Sequence, residues 1–274
     1  MPLPESSSIT SAQNPRFRAA LGLREARDRR QQGRILIEGP REIARALDAG
    51  VSPIEAWVDP ERLASYELKA MEGRLVATGC PIVAADARLV ERLSYGERST
   101  GLVLVAGTIR RTLDDLVVGP EALVAVVEGV EKPGNLGAVM RSADGAGVSA
   151  LLVTDPATDV FNPNVIRASL GTVFSVPLAV ASGSEAMAWL NANSMRIVTA
   201  RVDATTDYTE ADLRMPVAIV LGSEAKGLGD AWSGPDVTAV RVPMLGVADS
   251  LNVSVTAAIL FYEALRQRRA SGAR

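Results

Sequence analysis

Three stretches beyond residue 130 of this 274-residue chain set small polar side chains among glycine and proline in a pattern suited to holding a ligand. The first runs Glu131-Lys132-Pro133-Gly134-Asn135-Leu136-Gly137-Ala138-Val139-Met140-Arg141. Asn135 is placed to cap a helix, Gly137 permits close approach in its first turn, and Arg141 projects six residues on. Asn135 and Arg141 can then point into one cleft, although a capped helix with a surface arginine leaves the same trace. The second, Val220-Leu221-Gly222-Ser223-Glu224-Ala225-Lys226-Gly227-Leu228, ends a strand in exposed backbone amides and carbonyls, which suit an adenine or ribose edge. Its spacing is neither G-x-G-x-x-G nor G-x-x-x-x-G-K-[ST], so pyrophosphate is not the expected ligand. In the third, after Pro243-Met244 and a glycine loop, Ser250, Asn252 and Ser254 alternate with Leu251, Val253 and Val255 to open a helix. Capping hydroxyls explain that turn alone. They do not explain three such turns at the carboxyl ends of strands of one sheet, where open α/β sheets bind ligands.

The rest of the composition narrows the chemistry. There is no histidine, and Cys80 is the only cysteine, which removes disulfide frameworks, thiolate or imidazole zinc sites and every triad that needs an imidazole base. No tight Asp/Glu cluster suggests magnesium, so no metal is expected. The net charge of -3 argues against a uniformly basic nucleic-acid binder. Locally, however, Arg16, Arg18, Arg24, Arg27, Arg29, Arg30 and Arg34 crowd together with only Glu25 and Asp28 between them, as either a phosphate-binding face or a solvated helix face would. No run of 18 apolar residues and no basic-then-apolar N-terminus occurs, so a soluble cytoplasmic protein without membrane association is expected.

The elements that must position these turns divide at a weakly periodic, charged stretch ending in Gly119-Pro120, giving domains over 1–112 and 113–274. In the first, an Arg-rich helix over 17–32 precedes strands over 34–38, 54–58, 82–84 and 102–106, with helices between them, as a compact α/β unit without catalytic character. In the second, denser apolar strands are expected over 123–127, 150–153, 174–180, 197–200, 217–221 and 237–242. Helices are expected over 135–146, 164–172, 184–192, 225–232 and 251–269. Val/Leu/Ile runs alternating with helices imply a parallel sheet covered on both faces.

Taken together, N-L-G-A-V-M-R, L-G-S-E-A-K-G-L and V-P-M followed by S-L-N-V-S-V resemble, in order and spacing, the three signature motifs of the SpoU/TrmH branch of the SPOUT RNA methyltransferases. Residues 11–39 are similar to the start of the substrate-binding domain that many members carry. The resemblance implies an α/β fold with a C-terminal trefoil-knotted SPOUT domain behind a smaller RNA-binding domain, working as a homodimer. It also implies S-adenosylmethionine as donor and an RNA ribose 2′-hydroxyl as acceptor. The donor site it implies comprises Thr199 or Ala200, Leu221, Gly222, Val242, Met244 and Leu251. The acceptor and catalytic site comprises Asn135, Arg141, Glu224, Ser250 and Asn252. Arg16, Arg18, Arg24, Arg27 and Arg30, with Arg167, are the implied RNA contacts.

The extra N-terminal domain favours large-subunit ribosomal RNA over tRNA, and the layout resembles members that confer resistance to ribosome-targeting antibiotics. A non-catalytic RNA-binding or ribosome-assembly protein of the same fold is the competing reading, and a small-molecule methyltransferase a third. Members of the family are proposed to use the first-motif arginine, here Arg141, as general base. Lowering a guanidinium from above ~12 to near 7 costs roughly 7 kcal/mol at about 1.36 kcal/mol per unit. An alternative has Arg141 hold a phosphate and stabilise developing alkoxide, with the proton leaving to solvent or Glu224.

Overall fold

The computed structural model describes residues 8–95, 99–109, 111–214, 216–223 and 227–271. It falls into two units, Met1–Ile109 with Phe161–Ser175, and Arg110–Val160 with Val176–Arg274. In the first, the Arg-rich stretch is two helices and not one. The side chain of Asn14 caps α1 (Pro15–Gly22), and α2 (Ala26–Gln32) follows after a break. Arg29, only 3% exposed, explains the break. Its Nη1 donates to the carbonyls of Leu23 and Arg24 at 2.9 and 2.8 Å, satisfying acceptors that the end of α1 leaves open.

Beyond α2 come β1 (Arg34–Glu38), α3 (Pro40–Asp48), β2 (Pro53–Val58), α4 (Tyr66–Ala77), β3 (Ile82–Ala84), α5 (Ala87–Leu93) and β4 (Leu102–Gly107). The sheet order is β1-β4-β2-β3, with β4 antiparallel to both neighbours and β2 parallel to β3. Its core gathers Phe17, Leu23, Leu36, Trp57, Leu93 and Val103, and the Phe17 ring meets Trp57 edge-on at 5.9 Å.

The chain continues through β5 (Leu123–Glu128), α6 (Pro133–Ala146), β6 (Ala150–Thr154), α7 (Pro163–Ala168), α8 (Thr172–Ser175), β7 (Leu178–Ala181), α9 (Gly183–Ala192), β8 (Arg196–Ala200), β9 (Thr206–Asp207), β10 (Val217–Leu221), β11 (Val237–Arg241) and α10 (Val253–Ala270). The sheet of the second unit runs β7-β6-β5-β10-β8-β11-β9, and every pairing in it is parallel. Burial of all of β5 up to Val127, and of β6 and β10, matches their unbroken apolar sequences.

Four expectations shift. Helix α6 starts at Pro133, where the missing N–H costs nothing, so Asn135 lies in its first turn and is not the cap. The span 164–172 divides between α7 and α8, which belong to the first unit, where Arg45 Nη1 donates to the Leu170 carbonyl at 2.7 Å. The strand expected over 174–180 begins only at Leu178, after Pro177, while Phe174 is buried in α8. In place of a helix over 225–232, the described residues show a single turn of 3-10 helix at Asp230–Trp232.

The last helix is fastened across the unit. Gln267 accepts from the Leu213 amide at 2.9 Å and donates to the Ala211 carbonyl at 3.0 Å. Arg268 donates to the carbonyls of Glu121, Ala122 and Leu213 at 2.6, 3.1 and 3.2 Å.

Candidate functional site

Strands β8, β10 and β11 end level with one another, since Ala200 pairs in register with both Leu221 and Val240. Beyond their carboxyl ends opens a cavity of about 510 Å³, which the start of α10 also lines. That size lies within the ~300–1,000 Å³ usual for small-molecule sites. Ala200, Leu221, Gly222, Val242, Met244 and Leu251 all line it. Thr199 does not. Strand alternation turns it the other way, fully buried, and its Oγ1 has no hydrogen-bond partner.

After β10, Ser223 and Gly227 pair with each other. Ser223 N–H donates to the Gly227 carbonyl at 3.1 Å and Gly227 N–H returns to the Ser223 carbonyl at 2.9 Å, with Gly227 at φ +67°. A Cβ on Gly222 would lie 2.4 Å from the Gly227 carbonyl carbon and 2.7 Å from the Leu228 nitrogen. Glycine at 222 is therefore a steric requirement of the cavity wall. Of this loop, Glu224 lies outside the described residues.

Ser250 lines the cavity, and Asn252 stands beside it as the cap of α10. The Asn252 Oδ1 accepts from Ser254 N–H at 2.9 Å and Ser254 Oγ at 2.6 Å, leaving its Nδ2 to donate to Asn135 Oδ1 at 3.2 Å. This bond, spanning 117 positions, brings the first and third motifs together. Arg141 is not part of that contact. Six residues on from Asn135, it projects about 120° away around α6 and is exposed, with no hydrogen bond or ion pair among the described residues.

Among the residues that the sequence did not single out, Arg201 and Asp203 also line the cavity. They form a two-pronged pair at 3.0 and 3.1 Å. The hydrogen bonding raises the guanidinium pKa and lowers that of the carboxyl. Their place directly after β8 was a usable signal, because ligands gather where strands of a parallel sheet end. Asp249 lines the cavity as well.

The basic cluster of the first unit is less uniform than its sequence. Arg16 is tied to Glu55, and Arg24 lies 4.2 Å over the Tyr95 ring while donating to the Arg92 carbonyl. Arg18, Arg27 and Arg30 face solvent, as does Arg167 in α7. No group of three or more potential metal ligands occurs among the described residues, and none of their helices is long and apolar enough to cross a membrane.

An apolar cavity edged by backbone groups, with hydroxyl and amide side chains at its rim, fits a nucleoside-like ligand held for a reaction that depends on positioning. Comparison with known proteins agrees with that chemistry. A model described as the SpoU rRNA Methylase family matches residues 122–262, and one described as the MRM3-like substrate binding domain matches residues 14–104. The 23S rRNA (uridine(2479)-2′-O)-methyltransferase of Streptomyces viridochromogenes is 33% identical over 97% of this chain and 94% of its own length. A crystal structure of an RNA 2′-O ribose methyltransferase superposes with a TM-score of 0.85 at 44% identity, covering 96% of this chain and 99% of that one. The SpoU methyltransferase AviRb from Streptomyces viridochromogenes, in complex with the cofactor AdoMet, gives 0.86 at 28% identity over 96% and 100% of the two chains.

Proposed function

Because this chain belongs to the SpoU rRNA methylase family, we propose that it transfers the methyl group of S-adenosylmethionine to a ribose 2′-hydroxyl of large-subunit ribosomal RNA. The observation that carries this reading is the level ending of β8, β10 and β11 on one nucleoside-sized cavity, with the Asn135–Asn252 pair fixed beside it. When bound, S-adenosylmethionine supplies a methyl group made electrophilic by its sulfonium sulfur. The chain's own residues do the rest. Backbone edges at Ala200, Leu221 and Gly222 orient the adenosine, while Val242, Met244 and Leu251 form an apolar wall that keeps water from the methyl. Ser250, Asn252 and Asn135 seat the ribose so that its 2′-oxygen attacks in line. Arg141 holds an adjacent phosphate and steadies the charge that grows on the oxygen, and the hydroxyl proton passes to solvent or to Glu224.

Residues 1–112 select the RNA through Arg18, Arg27 and Arg30, supplemented by Arg16, Arg24 and Arg167, and 113–274 perform the transfer. The second unit carries the trefoil knot of the family and associates as a homodimer. Exposed Leu245, Val247, Val255 and Tyr262 provide apolar surface for that association. A ribosomal RNA substrate would be met in the cytoplasm.

Mapping ribose methylation across the ribosomal RNA of cells with and without this gene tests the assignment, and an unchanged map would overturn it. The RNA-binding role has its own check. Changing Arg27 and Arg30 together to alanine should flatten the plot of log affinity against log salt by roughly 1.5, at about 0.7 to 0.9 for each phosphate no longer neutralised. Filter binding at several salt concentrations reads this slope, and an unaltered slope would remove both arginines from the RNA interface.

A further inference from the structure

Glu128 lies outside the cavity and outside the three motifs, yet it is bonded to the segment that continues from the cavity wall at Gly227 and Leu228. It is the last residue of β5, one step beyond the register pair Val127–Leu221, so it stands level with Gly222 on the neighbouring strand. Its carboxylate reaches into the loop that follows Gly227. One oxygen accepts from the Gly229 amide at 2.7 Å, and the other accepts from the Trp232 indole N–H at 2.8 Å. The indole is 1% exposed and packs in the core of the second unit, so it is a fixed anchor. A Cβ at Gly229 would stand in ordinary van der Waals contact with the same carboxylate, at 3.4 Å from Oε1 and 3.6 Å from Oε2, so the carboxylate lies directly against this point of the loop.

At its near end, the loop is closed by the two bonds between Ser223 and Gly227, and Ser223, Gly227 and Leu228 line the cavity. Its far end has Glu128. We propose that Glu128 is a positioning residue for S-adenosylmethionine binding: a carboxylate that touches no substrate but sets where Gly227 and Leu228 stand. The inference rests on the donor-site reading above. Two donors, a backbone N–H and an indole N–H, converge on one side chain, and only a group with two free acceptor oxygens satisfies both. Glutamine cannot. Its amide nitrogen must face one of the two N–H groups, so one bond is replaced by a donor against a donor.

The full-length protein tests this by calorimetry with S-adenosylmethionine, by hydrogen exchange and by RNA filter binding. In Glu128→Gln, donor affinity should fall about tenfold, equivalent to ~1.4 kcal/mol. Exchange should quicken in peptides covering 227–232 but not in β10, and RNA affinity should be unchanged. Trp232→Phe keeps the buried ring and removes only the indole N–H, and should weaken the donor about threefold. In the double variant, the glutamine carbonyl is free to serve Gly229, so affinity should recover toward that of Trp232→Phe alone. Such recovery is not expected of two changes that merely loosen the fold. Wild-type donor affinity in Glu128→Gln overturns the proposal, as does a joint loss of donor and RNA binding without recovery in the double variant. If Glu128→Gln does not fold, unchanged donor affinity and exchange in Trp232→Phe still overturn it. Absence of donor binding by the unmodified protein would instead overturn the donor-site reading itself.

Discussion

Arg141→Ala is expected to lower the turnover of methyl transfer by roughly 10²- to 10³-fold, the loss usual when a group that stabilises transition-state charge is removed. S-adenosylmethionine affinity and thermal stability should hold. The separation follows from the residue's place. Arg141 is exposed on α6, does not line the cavity and has no hydrogen bond or ion pair among the described residues, so the folded protein does not lean on it. Surface changes of that kind alter stability by about 0.5 kcal/mol or less.

Steady-state kinetics on an RNA substrate read the effect, with calorimetry and melting curves as controls, and full turnover in the alanine variant would remove Arg141 from the reaction. Arg141→Lys then separates the two roles open to the side chain. Lysine keeps the charge but lacks the planar fork that grips a phosphate in two places. If Arg141 is a clamp, turnover falls while the pH profile keeps its shape. If a deprotonated guanidinium is the base, the lower intrinsic pKa of lysine, ~10.4, moves the profile. Near-full activity with an unshifted profile would count against both.

Gly222→Ala should abolish measurable S-adenosylmethionine binding, a loss of at least about a hundredfold, or ~2.7 kcal/mol. The added methyl meets backbone and not a movable side chain: the Gly227 carbonyl carbon at 2.4 Å, its oxygen at 2.5 Å and the Leu228 nitrogen at 2.7 Å. Relief requires opening the paired bonds between Ser223 and Gly227, and those residues are themselves cavity wall. The damage should stay local, because β10 below the loop is held on both sides by β5 and β8. Calorimetry with the donor, beside a melting curve, makes the comparison. Binding within threefold of the unmodified protein would show that the loop accommodates a side chain.

What a linear reading places well is whatever local rules fix. Parallel strands announce themselves as apolar runs, and their carboxyl ends bring Ala200, Leu221 and Gly222 to one cavity with Val242, Met244 and Leu251 from the segments that follow β11. Thr199 shows the resolution of that rule, since a single step along β8 reverses the side chain. Side-chain contacts that only the folded chain makes are the part that stays hidden. Arg29 carries the same letter as its exposed neighbours, and only the folded chain shows it spent on the carbonyls of Leu23 and Arg24. Nothing near Gly229 announces a carboxylate from 101 positions away. The Phe161–Ser175 segment reads as a helix among the strands of the second domain that surround it in sequence, yet it groups with the first unit, where Arg45 meets a carbonyl 125 residues distant.

The fastening of α10 bears on how this protein is made. Arg268 satisfies carbonyls of Glu121 and Ala122, at the very entry to the first strand of the second unit, across 147 and 146 positions. Val253, Thr256 and Leu260 of the same helix line the cavity. During translation, the first unit's own sheet can close while the chain is still being extended, apart from the Phe161–Ser175 segment, which arrives later. The second unit lacks the Arg268 bonds to the entry of its first strand until α10 has left the ribosome. Contacts of such wide separation form slowly and leave apolar strand edges uncovered in the interval. Competence to hold the methyl donor is thus gained only once α10 is available, and nascent chains halted before α10 should be aggregation-prone as well as inactive.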